Sequence, residues 1–374
     1  MKFKIQCGLL IEALKKVLPA VPKKTTLPIL THVCMIVSAD GKLELTSTNL
    51  DVTLRYMVDV EVEEPGSATI EARQLDRILS VLPSEETIEL VQIPNESGIT
   101  LICGDKKIQE ISHDTCDFPV SPKIDDTVEA VVSKAHFLRV LDICSSFTAK
   151  NELRPALTGV FLQFNKKELR ATGTNGHILY ECILPIDYDG ESLGVILPRA
   201  TCEIIAKSKL TIDSLRISVN DKYISIDLDG LFMQSRLIDS KYPQYQSMIP
   251  TDDPSGVLEI DRESFIANFK LARLSASAIS KLAVLNLQEK VSRISSSDML
   301  LNRSVKETLT GSYEGTNLDI GLDADLAIAG FGKMPCNTLR CEFRDKIKPV
   351  IVKFDDKTSE VRYICLLMPM RIEY

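Results

Sequence analysis

The sequence predicts an α+β chain of three similar domains, each rich in strands and carrying two helices. Three observations carry this. A strand-then-helix template recurs three times at domain-sized spacing. Apolar periods of two and of about 3.6 residues alternate along the chain. The composition, 374 residues with 44% hydrophobic, is enough for several cores and excludes global disorder.

The template is clearest from Ala130 to Cys144. Ala130 and Val132 alternate as a strand, and Phe137, Leu138, Leu141 and Cys144 then recur at helical spacing. The same order occurs at Phe3, Ile5, Leu10, Ile11, Leu14 and Val17, and at Leu258, Ile260, Phe265, Ile266, Phe269 and Ala272. The offsets are 127 and 128 residues, far above solenoid repeats and close to a whole domain. Domains are therefore expected at 1–125, 126–254 and 255–374.

In the first domain a helix over 8–21 leads to the basic loop Val21-Pro22-Lys23-Lys24-Thr25. Strands follow at 34–37, 43–46 and 53–62, with Ala39-Asp40-Gly41-Lys42 as a hairpin turn. Glu64-Pro65-Gly66 is a further turn, and a second strand–helix unit starts at Ala68, its helix at 72–82. Strands at 88–92, 99–103 and 107–111 close the domain.

The second domain follows the linker 120–126 and repeats the order. A helix at 133–150 precedes strands at 157–164 and 168–172 and the turn Thr174-Asn175-Gly176-His177. A second helix spans 198–209, so Arg199 matches Arg73 at a helix start. Phe118-Pro119 and Tyr242-Pro243 match near the two domain ends. The third domain follows a linker at 250–256 and is the least regular copy. Its helices are expected at 262–281 and 323–334, the latter carrying Gly330 and Gly332, each costing roughly 1 kcal/mol relative to Ala. Its closing strand from Tyr363 is broken by Pro369, which cannot donate to a ladder.

No apolar run reaches the ~18 residues of a membrane helix, and Met1–Gln6 alternates as a strand rather than reading as a signal peptide. The ten cysteines are scattered, without a C-x-x-C pair, as expected for reduced thiols in a cytoplasmic protein. The net charge of −8 argues, as a total, against a nucleic-acid partner. Its distribution does not: the six expected helices carry +8 and everything else −16. Ordinary solvated helix faces are the competing explanation. A basic helical surface without stacking aromatics suits phosphates rather than bases.

Catalytic and metal chemistry finds little support. His32, His113, His136 and His177 form no H-x-x-x-H or H-E-x-x-H, and His113 with Cys116 is one H-x-x-C pair without a second. A phosphate loop and a G-x-S-x-G elbow are missing. No catalytic residue, metal or cofactor is expected. A scaffold that never meets DNA is the other competing class.

Several motifs, in order on the threefold repeat, resemble one family. They are Met1-Lys2-Phe3, Thr26-Leu27-Pro28-Ile29-Leu30, Thr174-Asn175-Gly176-His177, Leu197-Pro198-Arg199, Tyr242-Pro243-Gln244-Tyr245 with Ile249-Pro250, and Met368-Pro369-Met370-Arg371. Over all 374 residues the chain resembles the bacterial DNA polymerase III β subunit, the sliding clamps. The resemblance implies the DNA-clamp fold, with two helices per domain packed on antiparallel sheets. It also implies a head-to-tail homodimer closed into a ring around double-stranded DNA. The role implied is that of a non-catalytic accessory subunit and processivity factor, cytoplasmic, binding DNA without sequence specificity. By analogy Lys24, Arg73, Lys150 and Arg199 touch DNA, and Lys107 and Ile108 meet the segment around Leu274 across the dimer interface.

The resemblance further implies a hydrophobic cleft that takes short linear motifs. Its partners would be the polymerase III α subunit, the clamp loader, other polymerases and repair proteins. Carried over by motif, the cleft is Leu157, Thr174, Gly176, His177, Leu179, Pro243, Met248, Leu367, Met368, Pro369 and Met370. Methionines give such a cleft a deformable wall; plain core packing is the competing role for Met368 and Met370, and backbone satisfaction in a turn for His177. The chain departs from the family at Ile178 and Ser247, where basic residues are frequent, and in the added Glu373 and Tyr374; all three are expected at the cleft.

Overall fold

The computed structural model describes residues 1–92, 98–122, 124–125, 127–150, 153–208 and 212–372. Lys123 and Asp126 of the first linker, Lys209, Glu373 and Tyr374 lie outside these.

The described residues form six α-helices: α1 Cys7–Val17, α2 Ala72–Ser80, α3 Lys134–Ser146, α4 Arg199–Ala206, α5 Arg262–Ser275 and α6 Ala324–Gly332. Each follows a strand directly, and each strand–helix pair is followed by three antiparallel strands. The unit strand–helix–three strands thus occurs six times, twice per repeat. Short extra strands, Glu61–Glu64 and Ser312–Gly315, enter the first and third repeats at the same place.

The junctions are set by side chains that end a strand and cap the next helix. Glu71 accepts from the amides of Arg73 and Gln74, Asp261 from Ser264 and Asp323 from Leu326. Capping satisfies amides that lack an intrahelical partner. The template residues fill the cores: all are buried except Ile11 and Leu138, which are half-buried. Each large apolar side chain so buried contributes about 1.5–3 kcal/mol.

The chain forms two compact units. The first comprises 1–131 and 207–237. It holds a five-stranded sheet ordered 61–64, 2–6, 87–91, 98–103, 106–111, so the polar strand Lys106–Ile111 is an edge. In its other sheet Val52–Asp59 pairs with Leu231–Arg236, Leu54 lying opposite Met233. The second unit comprises 132–206 and 238–374. Here Ile178–Asp187 pairs with Val361–Leu367, Ile178 opposite Leu367, placing the C-terminal strand inside the sheet. A separate four-stranded sheet ends in the edge strand Arg303–Thr308.

Four sequence expectations are corrected. Leu157 is not in a strand: Pro155, with its fixed φ, starts a 3-10 turn Pro155–Thr158, and the strand begins at Gly159. The expected strand 53–62 is two strands, Val52–Asp59 and Glu61–Glu64. All six helices are shorter than the apolar period suggested. Finally, the observed helices hold ten basic and six acidic residues, net +4, which leaves −12 elsewhere. The helical excess of positive charge is real but half as large as read from sequence. Gly330 in α6 has a packing reason: a Cβ there would lie 2.6 Å from Cδ1 of Ile178. Among the described residues no helix is long and apolar enough to cross a membrane.

Candidate functional site

The second unit assembles most of the expected cleft around one turn. The Oγ1 of Thr174 donates to the carbonyl of Ile178 (2.7 Å) and accepts from the amide of Gly176 (3.1 Å). Asn175 Oδ1 accepts from the amides of His177 (2.9 Å) and Ile178 (3.1 Å). Asn and Thr make such side-chain turns readily. Gly176 sits at φ +91°, where a Cβ is strained. The result is an exposed His177 side chain on a rigid support.

Beneath the turn lies an apolar cluster of Ala156, Leu157, Leu179, Ile196, Tyr242, Tyr245, Ile351 and Leu366. Phe161, Ile249 and Met368 pack against it. The Phe161 and Tyr242 rings stack at 4.6 Å. Tyr245 donates its hydroxyl to Glu181, a buried carboxylate, at 2.5 Å. Burial, reinforced by Glu181, pushes the Tyr245 hydroxyl far above its ordinary range, so it stays protonated as the donor. An open cavity of about 330 Å³ lies beside the cluster, lined by Ala149, Leu153, Arg154, Leu157, Asn175 and His177.

The C-terminal segment is tied down on either side of Pro369. The amide of Met368 donates to the carbonyl of His177, and that of Met370 to the carbonyl of Gly321, each at 2.8 Å. Leu367 is buried, whereas Met368, Pro369 and Met370 are half-buried. The methionines are neither core nor free surface, and Met368 lies on the cluster. Met248 is 49% exposed at the end of the 3-10 turn Tyr245–Met248, and Pro243 is exposed ahead of it.

The structure therefore joins Leu157, Thr174, Gly176, His177, Leu179, Leu367 and Met368 through the turn, the cluster and the strand pair. Pro243 and Met248 flank the cluster tyrosines, and Met370 is held at Gly321. Sequence reading missed the cavity residues Ala149, Leu153 and Arg154, and missed Tyr242 and Tyr245 as floor residues; a tyrosine on either side of Pro243-Gln244 was the available signal. One expectation is corrected: Ile178 is buried and its side chain lies towards α6 at Gly330, so this departure is in the core. Ser247 is exposed, its hydroxyl donating to the carbonyl of Gln244 at 2.9 Å.

Of the expected DNA residues, Lys24, Arg73 and Lys150 are exposed and Arg199 is half-buried. Arg73, in the first turn of α2, donates to the carbonyl of Val21 at 3.2 Å and so steadies the loop that carries Lys24. Arg199, opening α4, pairs with Glu203 at 2.9 Å, which offsets part of its charge. Lys107 is exposed and Ile108 half-buried on the edge strand Lys106–Ile111, and Leu274 is 73% exposed near the end of α5. A further open edge, Arg303–Thr308, was not anticipated; its polar composition hides it from apolar patterning.

Among the described residues no cluster of three or more His, Cys, Asp or Glu is placed to hold a metal ion. Family models for the DNA polymerase III beta subunit match here, the N-terminal domain over residues 1–122 and the central domain over 131–244. The beta sliding clamps of Escherichia coli strain K12 and Salmonella typhimurium strain LT2 are each 26% identical over 374 residues, covering all of both chains. A crystal structure of the DNA polymerase III subunit beta from Pseudomonas aeruginosa superposes with a TM-score of 0.92 at 25% identity over all of both chains. The DNA polymerase sliding clamp from Bacillus subtilis gives 0.92 at 23% identity, a likeness of fold. The chain belongs to the DNA polymerase III β subunit family, the sliding clamps, non-catalytic processivity factors of DNA replication.

Proposed function

We propose that two copies of this chain close head to tail into a six-domain ring around double-stranded DNA, its domains being 1–125, 126–254 and 255–374. The ring holds polymerases to the template in the cytoplasm. Each copy takes short linear motifs of the polymerase III α subunit, the clamp loader, other polymerases and repair proteins in the cleft of the second unit. The observation that carries this reading is the apolar floor of Leu157, Leu179, Tyr242, Tyr245 and Leu366, open beside His177 and edged by Met368. A floor with a few apolar anchor sites and a flexible methionine suits a short peptide.

Lys24, Arg73, Lys150 and Arg199 contact phosphates, and ring closure, rather than tight binding, retains the DNA. This accommodates a net charge of −8. Closure joins the edge strand holding Lys107 and Ile108 to the face around Leu274 on the partner. A heterologous contact of this kind closes only if its rotation fits. The experiment is retention of loaded protein on nicked circular DNA before and after linearisation, with the salt dependence of binding. Retention lost on linearisation supports the ring; equal retention on both forms defeats it. Arg73→Ala with Arg199→Ala flattens the log–log salt slope by about 0.9 per lost phosphate contact. An unchanged slope removes both residues from the DNA face.

A further inference from the structure

His113 heads the H-x-x-C pair of the sequence, and the first unit sets it against a buried histidine. His32 opens the strand His32–Val37 and lies opposite Glu71, the last residue of the strand Gly66–Glu71. It is 6% exposed, and its Nδ1 has no hydrogen-bond partner among the described residues. A buried polar atom left so costs about 1–3 kcal/mol and marks a place where a water or an ion belongs. The ring of the exposed His113 stands 4.8 Å from that of His32, centre to centre, with 58° between their planes. We propose that His32 and His113 form a two-imidazole site for a divalent transition metal of the zinc and nickel class, with water completing its coordination.

The spacing of the rings suits an ion. A metal about 2.0–2.1 Å from one nitrogen of each ring stands about 3.2 Å from each ring centre. Ligand angles from octahedral to tetrahedral, about 90–109°, then put the two centres about 4.5–5.2 Å apart. The observed 4.8 Å lies inside that range, and the tilt is not that of a stacked pair. Ligation needs a neutral imidazole. Burial first, then His113, holds His32 below its ordinary pKa, so the ring is neutral at pH 7. Glu71 pulls the other way, because its negative charge favours a cation at the ring. Its carboxylate is engaged with the amides of Arg73 and Gln74, which makes it an outer charge rather than a ligand.

Hydroxyls hold the pair in place. Thr69 Oγ1 donates to the carbonyl of His113 and accepts from its amide, both at 3.0 Å. Ser112 Oγ accepts from the Thr69 amide at 3.3 Å, and the Ser67 and Thr115 hydroxyls bond at 2.9 Å. Residues 112–115 are thus strapped along the strand Gly66–Glu71, which brings His113 beside His32. Cys116 supplies no third ligand. Its hydrogen bond to Asp114 pushes the thiol above its ordinary range, against the thiolate that a metal takes. Among the described residues no third His, Cys, Asp or Glu completes the pair. An ion at the two rings ties the strap to the strand end that leads into α2.

The test is isothermal titration of Ni²⁺ into the untagged full-length chain, first freed of metal by a chelator, with thermal melts beside it. The variants are His113→Ala, His32→Gln and Cys116→Ser. The wild type takes one ion per chain, and the ion raises the melting temperature because it binds the folded chain. His113→Ala weakens binding by about tenfold or more and removes the melting shift. His32→Gln does the same; if metal-free melts show that this buried change impairs folding, the exposed His113→Ala decides alone. Cys116→Ser leaves the affinity unchanged. A wild type without saturable binding overturns the site and leaves a water on His32. Binding that survives His113→Ala puts the ion elsewhere and overturns it as well. A loss in Cys116→Ser equal to that in His113→Ala replaces the two imidazoles by a histidine–thiolate pair. The site uses neither the ring nor the cleft, so none of these outcomes touches the function proposed above.

Discussion

The first and second repeats contain the same turn, and only one of them opens a cleft. Thr48-Asn49-Leu50-Asp51-Val52 reproduces Thr174-Asn175-Gly176-His177-Ile178 bond for bond. Thr48 Oγ1 donates to the Val52 carbonyl and accepts from the Leu50 amide, both at 3.1 Å. Asn49 Oδ1 accepts from the amides of Asp51 and Val52. A strand from further along the chain docks on each: the Arg236 amide donates to the Asp51 carbonyl at 2.7 Å, as Met368 does to His177. The surroundings differ. The segment Pro119–Pro122 lies beside the first turn, pinned by Gln234 Nε2 to the Pro122 carbonyl, and the space left is about 60 Å³ against about 330 Å³ at the second. The cleft is therefore made by what is not laid over a repeated turn, not by the turn itself.

Changes in each turn can break or sharpen this comparison. The largest effect belongs to the buried threonines. Thr174→Val and Thr48→Val each leave the Gly176 or Leu50 amide without its side-chain acceptor and strip one of two donors from the Ile178 or Val52 carbonyl, costing about 1–3 kcal/mol in denaturant unfolding. Both destabilise, but only Thr174→Val also weakens a clamp-binding peptide in fluorescence polarisation. If Thr48→Val weakens it equally, the two turns are not functionally distinct.

Next comes the cleft wall. Peptide anchors of this kind bind at micromolar strength, about −8 kcal/mol. Met370→Ala, or removal of Met368 to Tyr374, weakens peptide binding by more than about 1 kcal/mol. Val120→Ser, beside the first turn, leaves it unchanged. Peptide binding that survives both cleft changes moves the site elsewhere; loss of folding or assembly instead makes the methionines core.

A smaller effect comes from backbone strain. Leu50 holds φ +78° where the second copy has Gly176 at +91°. Gly176→Ala costs about 1 kcal/mol, while Leu50→Gly gains up to about 1 kcal/mol by relieving the strained side chain. Equal and opposite melting shifts would show that the turns are interchangeable as backbone.

The smallest concerns pH in the first unit. His32 is buried with its ring 4.8 Å from His113; burial first, then His113, lowers its pKa from 6.5, against a weaker opposing pull from Glu71. The unfolded chain then binds the proton more readily, so stability falls as pH drops through that value. His32→Gln flattens this slope in pH-dependent melts of the whole chain; an unchanged slope assigns it to other groups.

What the sequence made legible was whatever repeats or alternates. Phe3, Ala130 and Leu258 mark the same strand position, because the pattern of burial that selects them is itself periodic. Thr174-Asn175-Gly176-His177 was legible because turn chemistry is local. Helix ends were overextended past Ser146, Ala206 and Ser275, and counting Lys150, Lys207, Lys209 and Lys281 into the helices doubled their apparent charge. Ala149, Leu153 and Arg154 come from a connection without a period. They are held at the site where the Ala149 amide bonds the Leu157 carbonyl at 2.7 Å, a loop closure that no apolar period announces. The edge Arg303–Thr308 was silent for the opposite reason: with so little apolar content, alternation leaves no trace.

The strand Val361–Leu367 has a consequence for how the protein is made. It pairs along its length with Ile178–Ile183, so the second repeat cannot finish its sheet until the ribosome has produced the whole third repeat. Until then the strand beginning at Ile178 waits with an open side, the kind of nascent surface that draws chaperones and aggregation. The same delay works as quality control. The floor residue Leu366 and the flanking Met368 arrive with that late strand, so a chain interrupted during synthesis lacks the completed apolar floor.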